Sequence, residues 1–182
     1  SGKLLMMLDR LCEKLSDGNT KVNLLALQGV SRCLSALGEQ AEPSLGVLVP
    51  SLCGNLARTP KLHDLAKTIF EGLTMSLDAK LLALPYCNAV LSNENLKIKS
   101  VMLGKLADVV PRLCDEGNGK IAMKHIVPVA TKSCLDSRSD VKAPCATLII
   151  TLYSCLGQDF IAHVNKIAKD AEVNHIERLC GV

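Results

Sequence analysis

The most constraining feature of the sequence is a helix–turn–helix unit that is clearest in residues 124–152. Its first half is apolar on one face and contains Pro128. A run of small polar residues follows at 136–140, and such side chains bond to local backbone rather than extend a helix. From Val141 the apolar residues return at helical spacing. The stretch therefore predicts two helices joined by a tight turn, with Asp140 as the N-cap of the second helix.

The same unit recurs upstream with a period near 40 residues. Pro50, Pro85 and Pro128 each precede the apolar start of a second helix by 12 or 13 residues. The second helices start near four apolar residues that are 40, 36 and 43 residues apart: Val22, Leu62, Ile98 and Val141. Such periods are typical of HEAT-like or armadillo-like repeats, and the irregular spacing favours HEAT. We therefore predict an all-α fold, an α-solenoid of about five HEAT-like helix pairs.

The element boundaries follow from the apolar spacing and the polar breaks. The predicted helices cover residues 3–15 and 20–37, 42–57 and 61–77, 78–91 and 96–113, 125–135 and 141–152, and 158–170 and 172–180. Thr20 is predicted to be the N-cap of the second helix. The repeated prolines lie inside first helices and predict bends there. We expect residues 1–182 to form a single domain excised from a longer protein, since Ser1 and Gly2 resemble an expression scar.

Aliphatic side chains have to build the core of this protein. Apolar residues make up 48% of the chain, but aromatic residues only 2%, and tryptophan is absent. This composition suits close helix packing better than a sheet, because strands favour aromatic and β-branched residues. The net charge of +3 is too small to indicate nucleic acid, and the turns offer no aromatic side chain for base stacking.

Nothing in the sequence has the spacing of a catalytic or metal site. The nine cysteines include no C-x-x-C and mostly fall on apolar helix faces, so we expect reduced, buried thiols. Cys145, in the first turn of a helix, could be an activated thiol, but its spacing from Val141 and Leu148 predicts a core position. There is no phosphate-binding loop and no nucleophile elbow. We therefore expect no enzymatic activity, no cofactor, no metal and no small-molecule substrate.

No membrane segment is predicted either. The longest uncharged run, residues 143–158, is short and carries several polar residues, so it predicts a buried helix rather than a span. No secretory signal is visible.

Basic residues recur at the turns within the predicted pairs. Because these turns emerge along one edge of a solenoid, they would form a row of cations matched to an extended acidic partner. Each exposed contact would contribute about 0.2–1 kcal/mol, so affinity would come from the set. The alternative is solubility, since Glu94, Asp136 and Asp140 dilute the row. The cations are Lys21, Arg58, Lys61, Lys97, Lys99, Arg138 and Lys142, with Lys166 and Lys169 in the last pair.

The order of features within each unit is similar to that of HEAT repeats. A proline in the first helix is followed by a polar turn, and the second helix then begins with Ile98-Lys99 or Val141-Lys142. With about five pairs and basic turns within them, the chain resembles a TOG (tumour-overexpressed gene) domain over nearly its whole length. These domains are the tubulin-binding modules of microtubule polymerases, CLIP-associated proteins and the ciliary crescerin family. The short length, many cysteines and missing tryptophan look closest to the crescerin type.

The resemblance implies that α/β-tubulin or microtubules are bound along the turns within the pairs. The residues implied to do so are Thr20, Lys21, Lys61, Lys97, Lys99, Arg138, Lys142 and Lys169. Many TOG domains carry a tryptophan in the first turn, whereas the matching position here is Asn19 or Thr20. Aromatic anchors often dominate interfaces, so this departure bears directly on affinity.

The resemblance further implies that the chain regulates microtubule polymerisation in the cytoplasm and cytoskeleton, including the cilium. The isolated domain is expected to be monomeric. One competing function stays open at this point. The chain could be a HEAT scaffold that binds another protein through its helical groove, which a large exposed apolar groove would favour.

Overall fold

The computed structural model of the protein describes residues 2–182, and these are helical apart from short connections, with no strand among them. The α-helices are α1 (Gly2–Lys14), α2 (Thr20–Leu37), α3 (Leu45–Leu56), α4 (Pro60–Ser76), α5 (Ala79–Ser92), α6 (Leu96–Asp115), α7 (Gly119–Ile121), α8 (Val127–Ser133), α9 (Ser139–Leu156), α10 (Gln158–Ile167) and α11 (Asp170–Cys180). A 3₁₀ segment, Gly38–Ser44, joins α2 to α3, and a π-helical segment, Ala122–Ile126, joins α7 to α8. The prediction of an all-α fold with about five HEAT-like helix pairs is confirmed.

Contacts along the chain divide it into two compact units, one reaching to Leu81 and the other covering Leu82–Val182. In the first unit α1 pairs with α2 and α3 with α4, while α1 also packs on α3 and α2 on α4. First helices therefore stack on first helices and second helices on second helices, as in HEAT repeats. Ser44 in the 3₁₀ segment adds a hydrogen bond, donated by its Oγ to Asp9 Oδ1 at 2.7 Å.

The second unit is organised around the packing of α6 on α9. Helices α8, α10 and α11 also pack on α9, and the π-helical segment contacts α6. The chain has four aromatic residues, and three of them, Phe70, Tyr86 and Phe160, are fully buried in the cores. Leucine, valine, isoleucine and alanine supply most of the remaining buried surface, as the composition predicts.

Asparagine side chains start two of the helices. Asn19 caps α2, its Oδ1 accepting hydrogen bonds from the backbone N–H groups of Lys21 at 2.9 Å and Val22 at 3.4 Å. Asn95 caps α6 in the same way. The prediction of Thr20 as the N-cap is therefore wrong, because Asn19 already satisfies the free N–H groups and Thr20 becomes the first helical residue.

The N-cap predicted at the fourth turn is also wrong. Helix α9 begins at Ser139, after an N-cap at Arg138 whose side chain makes no capping bond. Asp140 lies inside the first turn of α9, where a carboxylate is favoured by the helix dipole. The chain turns earlier than predicted because Asp136 Oδ1 accepts a hydrogen bond from the Arg138 N–H at 3.0 Å.

The repeated prolines do lie within helical runs. Pro50 and Pro85 are inside α3 and α5. Pro128 is in the first turn of α8, directly after the π-helical segment. In a regular helix a proline ring clashes with the carbonyl four residues earlier, here that of Lys124, and the wider π-helical turn relieves that contact. The fourth pair thus begins at Gly119 rather than at the predicted His125.

Gly157 allows α10 to follow α9 without a connecting loop. It has φ 59° and ψ −139°, a backbone conformation that L-residues rarely adopt, and a Cβ there would meet nothing within 4 Å. We therefore expect Gly157→Ala to lower the free energy of unfolding by about 1–3 kcal/mol through backbone strain alone. Denaturant unfolding monitored by circular dichroism measures the change.

The matched control is Gly72→Ala, in the interior of α4. That position is equally open but has an ordinary helical backbone, so the added methyl should stabilise the helix by about 0.5–1 kcal/mol. Equal effects of the two replacements would contradict this account of Gly157.

Candidate functional site

The residues predicted to bind a partner all lie at turns within helix pairs. In the first unit these turns join α1 to α2 and α3 to α4; in the second they join α5 to α6, α8 to α9, and α10 to α11. Each turn is followed by a second helix, and the predicted side chains belong to its N-cap or first turn. Thr20 and Lys21 open α2, Lys61 opens α4, Lys97 and Lys99 open α6, Arg138 and Lys142 open α9, and Lys169 precedes α11.

A buried set of hydrogen bonds fixes the first turn to the second. The carbonyl oxygen of Leu15, the residue directly after α1, accepts hydrogen bonds from Asn23 Nδ2 at 2.7 Å and from Asn55 Nδ2 at 3.0 Å. Both asparagines are fully buried. Arg58 donates to the carbonyls of Asp17 at 2.7 Å and Ser16 at 3.2 Å. Cations are favoured at a helix C-terminus, so Arg58 stabilises the turn instead of remaining free for a partner.

Ion pairs occupy part of the cationic set in the second unit. Arg138 Nε donates to Asp136 Oδ1 at 2.9 Å, and its second guanidinium nitrogen contacts Oδ2 of the same carboxylate. Lys99 is largely covered, with 19% of its side chain exposed, and its Nζ lies 4.0 Å from Glu94 Oε2. The two turns thus carry a network of both signs rather than a simple row of cations.

Other turn lysines remain exposed. Lys21, Lys61, Lys97, Lys142 and Lys169 are exposed, and none of them forms an ion pair within residues 2–182. These five ammonium groups are the part of the predicted set that is available to an acidic partner. Thr20 is exposed beside Lys21 and offers a hydroxyl.

Hydrogen bonds from Arg138 are the main cause of a low pKa at Asp136, which lies at about 2 against an ordinary 3.8. A pKa below that of the unfolded chain means that the ionised pair adds stability above about pH 3.8 and that this contribution is lost as the pH falls through about 2. We therefore expect Asp136→Asn to lower the melting temperature at pH 7 and to lower it much less at pH 2, where the native carboxyl is about half protonated.

Two measurements check this prediction. Thermal melts of both proteins at pH 7 and pH 2 give the difference in stability, and an NMR titration of the Asp136 carboxyl carbon gives its pKa directly. A midpoint near 3.8 would show that the pair with Arg138 does not form in solution.

Six of the nine cysteines are buried and contribute to the cores. Burial raises the pKa of Cys53, Cys87 and Cys145 to about 12. Cys145, the thiol that could have been activated by its helix position, is a core residue at 1% exposure, as its spacing predicts. In the part of the chain that the structure describes, no three histidine, cysteine or acidic side chains are placed to hold a metal ion. None of the helices described is long and apolar enough to cross a membrane.

Asn23 and Asn55, which order the first turn, are not predicted from the sequence. A signal for them exists in the sequence, since each is a polar residue within an otherwise apolar helical stripe. Their shared acceptor, the Leu15 carbonyl, could not be read from the spacing.

No family model matches the chain. It is 25% identical over 170 residues to the TOG array regulator of axonemal microtubules protein 1 of Homo sapiens, and likewise to that of Mus musculus. Each alignment covers 88% of this chain and 10% of the relative. The chain therefore spans about a tenth of the length of the curated relatives it matches.

Solved structures give a match over the whole chain. A domain of crescerin, which uses a TOG domain array to regulate microtubules in the primary cilium, has a TM-score of 0.76 at 16% identity, covering 99% of this chain and 75% of that one. The MAST/Orbit N-terminal domain gives 0.72 at 13% identity, covering 99% and 87%. A structure concerned with TOG–tubulin binding specificity in microtubule dynamics and spindle formation gives 0.73 at 12%, covering 99% and 68%. The chain has the fold of the TOG domains, and the resemblance seen in its sequence is confirmed.

Proposed function

We propose that this chain is a binding module for the α/β-tubulin dimer, which it contacts through the turns within its helix pairs. The observation that carries the proposal is a set of exposed lysines at the starts of second helices that form no ion pair within residues 2–182: Lys21, Lys61, Lys97, Lys142 and Lys169. The proteins it resembles are named for TOG arrays, microtubule regulation and tubulin binding, which supports this choice of partner.

The physical basis of binding is attraction between these ammonium groups and an acidic surface. Exposed ion pairs are individually weak and are screened by salt. Affinity therefore depends on several lysines acting together on rigid helix starts, and it should fall as the ionic strength rises. Lys99 and Arg138 act on this surface mainly by fixing the turns, because their charges are already opposed by Glu94 and Asp136.

The module would perform no chemistry itself. As part of a longer protein it would hold or deliver tubulin and so regulate microtubule polymerisation at the cytoskeleton, including the cilium, as the names of its relatives suggest. It would act as a monomer in isolation, and it would need no cofactor, membrane or nucleic acid.

Binding to purified α/β-tubulin tests the proposal. Fluorescence anisotropy of the labelled chain at low and at physiological salt should show a complex that weakens as salt increases. Size-exclusion chromatography should show one chain per tubulin dimer. No complex at tens of micromolar chain would overturn the proposal.

The competing scaffold function has its own surface in the structure. On the outer face of α1, Met6 and Met7 are 61% and 51% exposed. With Lys3, Arg10, Leu11 and Lys14 they line a cavity of about 430 Å³. If the chain did not bind tubulin but bound another protein, and Met6→Glu ended that binding, the scaffold function through the α1 face would replace tubulin binding.

A further inference from the structure

The second unit has a surface cavity at the C-terminal ends of α6 and α9, the ends opposite those that carry the turn lysines. Its volume is about 500 Å³. Cys114 near the end of α6 and Cys155 near the end of α9 both line it, together with the basic side chains of Lys120 and Lys166. The proposed tubulin interface uses none of these residues.

The two cysteines are neighbours in this cavity. Both line its wall, and the helices that carry them, α6 and α9, pack against each other. A Cβ added at Gly119, in the following segment, would lie 3.9 Å from Cys114 Sγ and 3.2 Å from Leu156 Cδ2. The ends of α6 and α9 are therefore held close together beside this glycine.

Solvent reaches these two thiols, unlike most of the others. Cys114 and Cys155 are half-buried, as is Cys180, whereas the remaining six cysteines are buried. Burial, followed by the neighbouring Cys155 sulfur, raises the pKa of Cys114 to about 11, so Cys114 is a neutral thiol at pH 7. A protonated thiol is a poor nucleophile, so Cys114 is assigned the second step, the attack on a sulfur that is already oxidised.

We propose that Cys114 and Cys155 are an oxidation-sensitive thiol pair that closes to a disulfide when a peroxide enters the cavity. The Cys155 sulfur attacks one peroxide oxygen, the O–O bond breaks, and a sulfenic acid forms with release of water. The Cys114 sulfur then attacks the sulfenic sulfur, forming the S–S bond and releasing a second water. Two electrons pass from the thiols to hydrogen peroxide, and both thiol protons leave in the two water molecules.

The disulfide would join the ends of the second helices of the third and fourth pairs. It would close a loop containing residues 115–154. A disulfide that closes a loop of this length restricts the unfolded chain, so oxidation should raise the melting temperature by roughly 5–10 °C. The turn lysines at the other ends of these helices would stay exposed.

Peptide mapping of the intact chain tests the proposal. The folded protein is treated with a small excess of hydrogen peroxide, its free thiols are alkylated, and it is digested without reductant for mass spectrometry. We expect a cross-linked peptide containing Cys114 and Cys155, two hydrogen atoms lighter than the sum of its parts. It should be absent after reduction, absent in Cys155→Ser, and present in the matched control Cys180→Ser.

Other products would overturn the proposal. These are sulfinic or sulfonic acid at Cys155 with no cross-link, a disulfide between two copies of the chain, or a cross-link that involves Cys180. The peptide map of the unaltered chain decides among them even if a serine variant fails to fold. The result does not depend on tubulin, so failure here leaves the proposed function untouched.

Discussion

Replacing Lys97 and Lys142 together by glutamate is expected to weaken tubulin binding at least tenfold. Both side chains are exposed at the starts of second helices and form no ion pair within residues 2–182, so the change alters the interface charge without breaking an internal contact. Each reversal removes an attraction and adds a repulsion, and two such changes reach roughly a factor of ten or more in Kd. Anisotropy titrations at constant salt measure the ratio.

Lys99 is a poorer choice for this experiment, although the sequence ranks it equally. A glutamate there would be placed beside Glu94 and near Asp136, so the local structure of the turn would change as well. The matched control is Lys67→Glu with Lys124→Glu, two exposed lysines that lie away from the turns within pairs. If the control pair lost as much affinity as the turn pair, binding would depend on total charge rather than on this surface.

Asn55→Asp is expected to be the most destabilising single change at the first turn. The replacement removes the amide that donates to Leu15 and puts a fully buried carboxylate against that carbonyl oxygen. An unpaired buried charge costs about 3–5 kcal/mol. The turn that precedes Lys21 should therefore become disordered and tubulin affinity should fall with it. Denaturant unfolding and binding on the same preparation measure both effects.

The pH dependence separates the buried charge from a simple loss of contact. Burial raises the pKa of the new carboxyl, so the folded state binds the proton more readily than the unfolded chain. The stability of the variant relative to the native protein should then rise as the pH falls from 7 towards 4. Asn174→Asp, at an exposed position in α11, is the control and should change stability by less than about 0.5 kcal/mol. A pH-independent loss in Asn55→Asp would contradict burial of this side chain.

The repeat was readable from the sequence because its signals are local and repeated. Proline followed 12 or 13 residues later by an apolar helix start fixes the two halves of each pair, and the apolar stripes fix which face is buried. Cys145 was placed in the core on the same grounds. Glycines at 38 and 157 mark helix ends with positive φ, which few other residues adopt.

The failures concern choices between neighbouring polar residues. Asn19 rather than Thr20 caps α2, since both types cap well and sequence alone does not rank adjacent candidates. The pairing of Arg138 with Asp136 is a contact within one turn, and the partial burial of Lys99 places it near Asp136 of the next turn. The apolar spacing encodes neither arrangement. The Leu15 carbonyl that both Asn23 and Asn55 bind also joins two helix pairs, because Asn55 belongs to the second pair. The apolar spacing does not encode this contact either.

Hydrogen–deuterium exchange of the chain with and without α/β-tubulin tests the central claim most directly. We expect slower exchange in peptides that contain the turn lysines, around residues 16–22, 58–62, 93–99, 136–142 and 168–172. Exchange should be unchanged in the outer face of α1 and at the cavity of Cys114 and Cys155. Protection confined to α1, or spread over helix faces while the turns exchange freely, would contradict the turn surface as the tubulin-binding site.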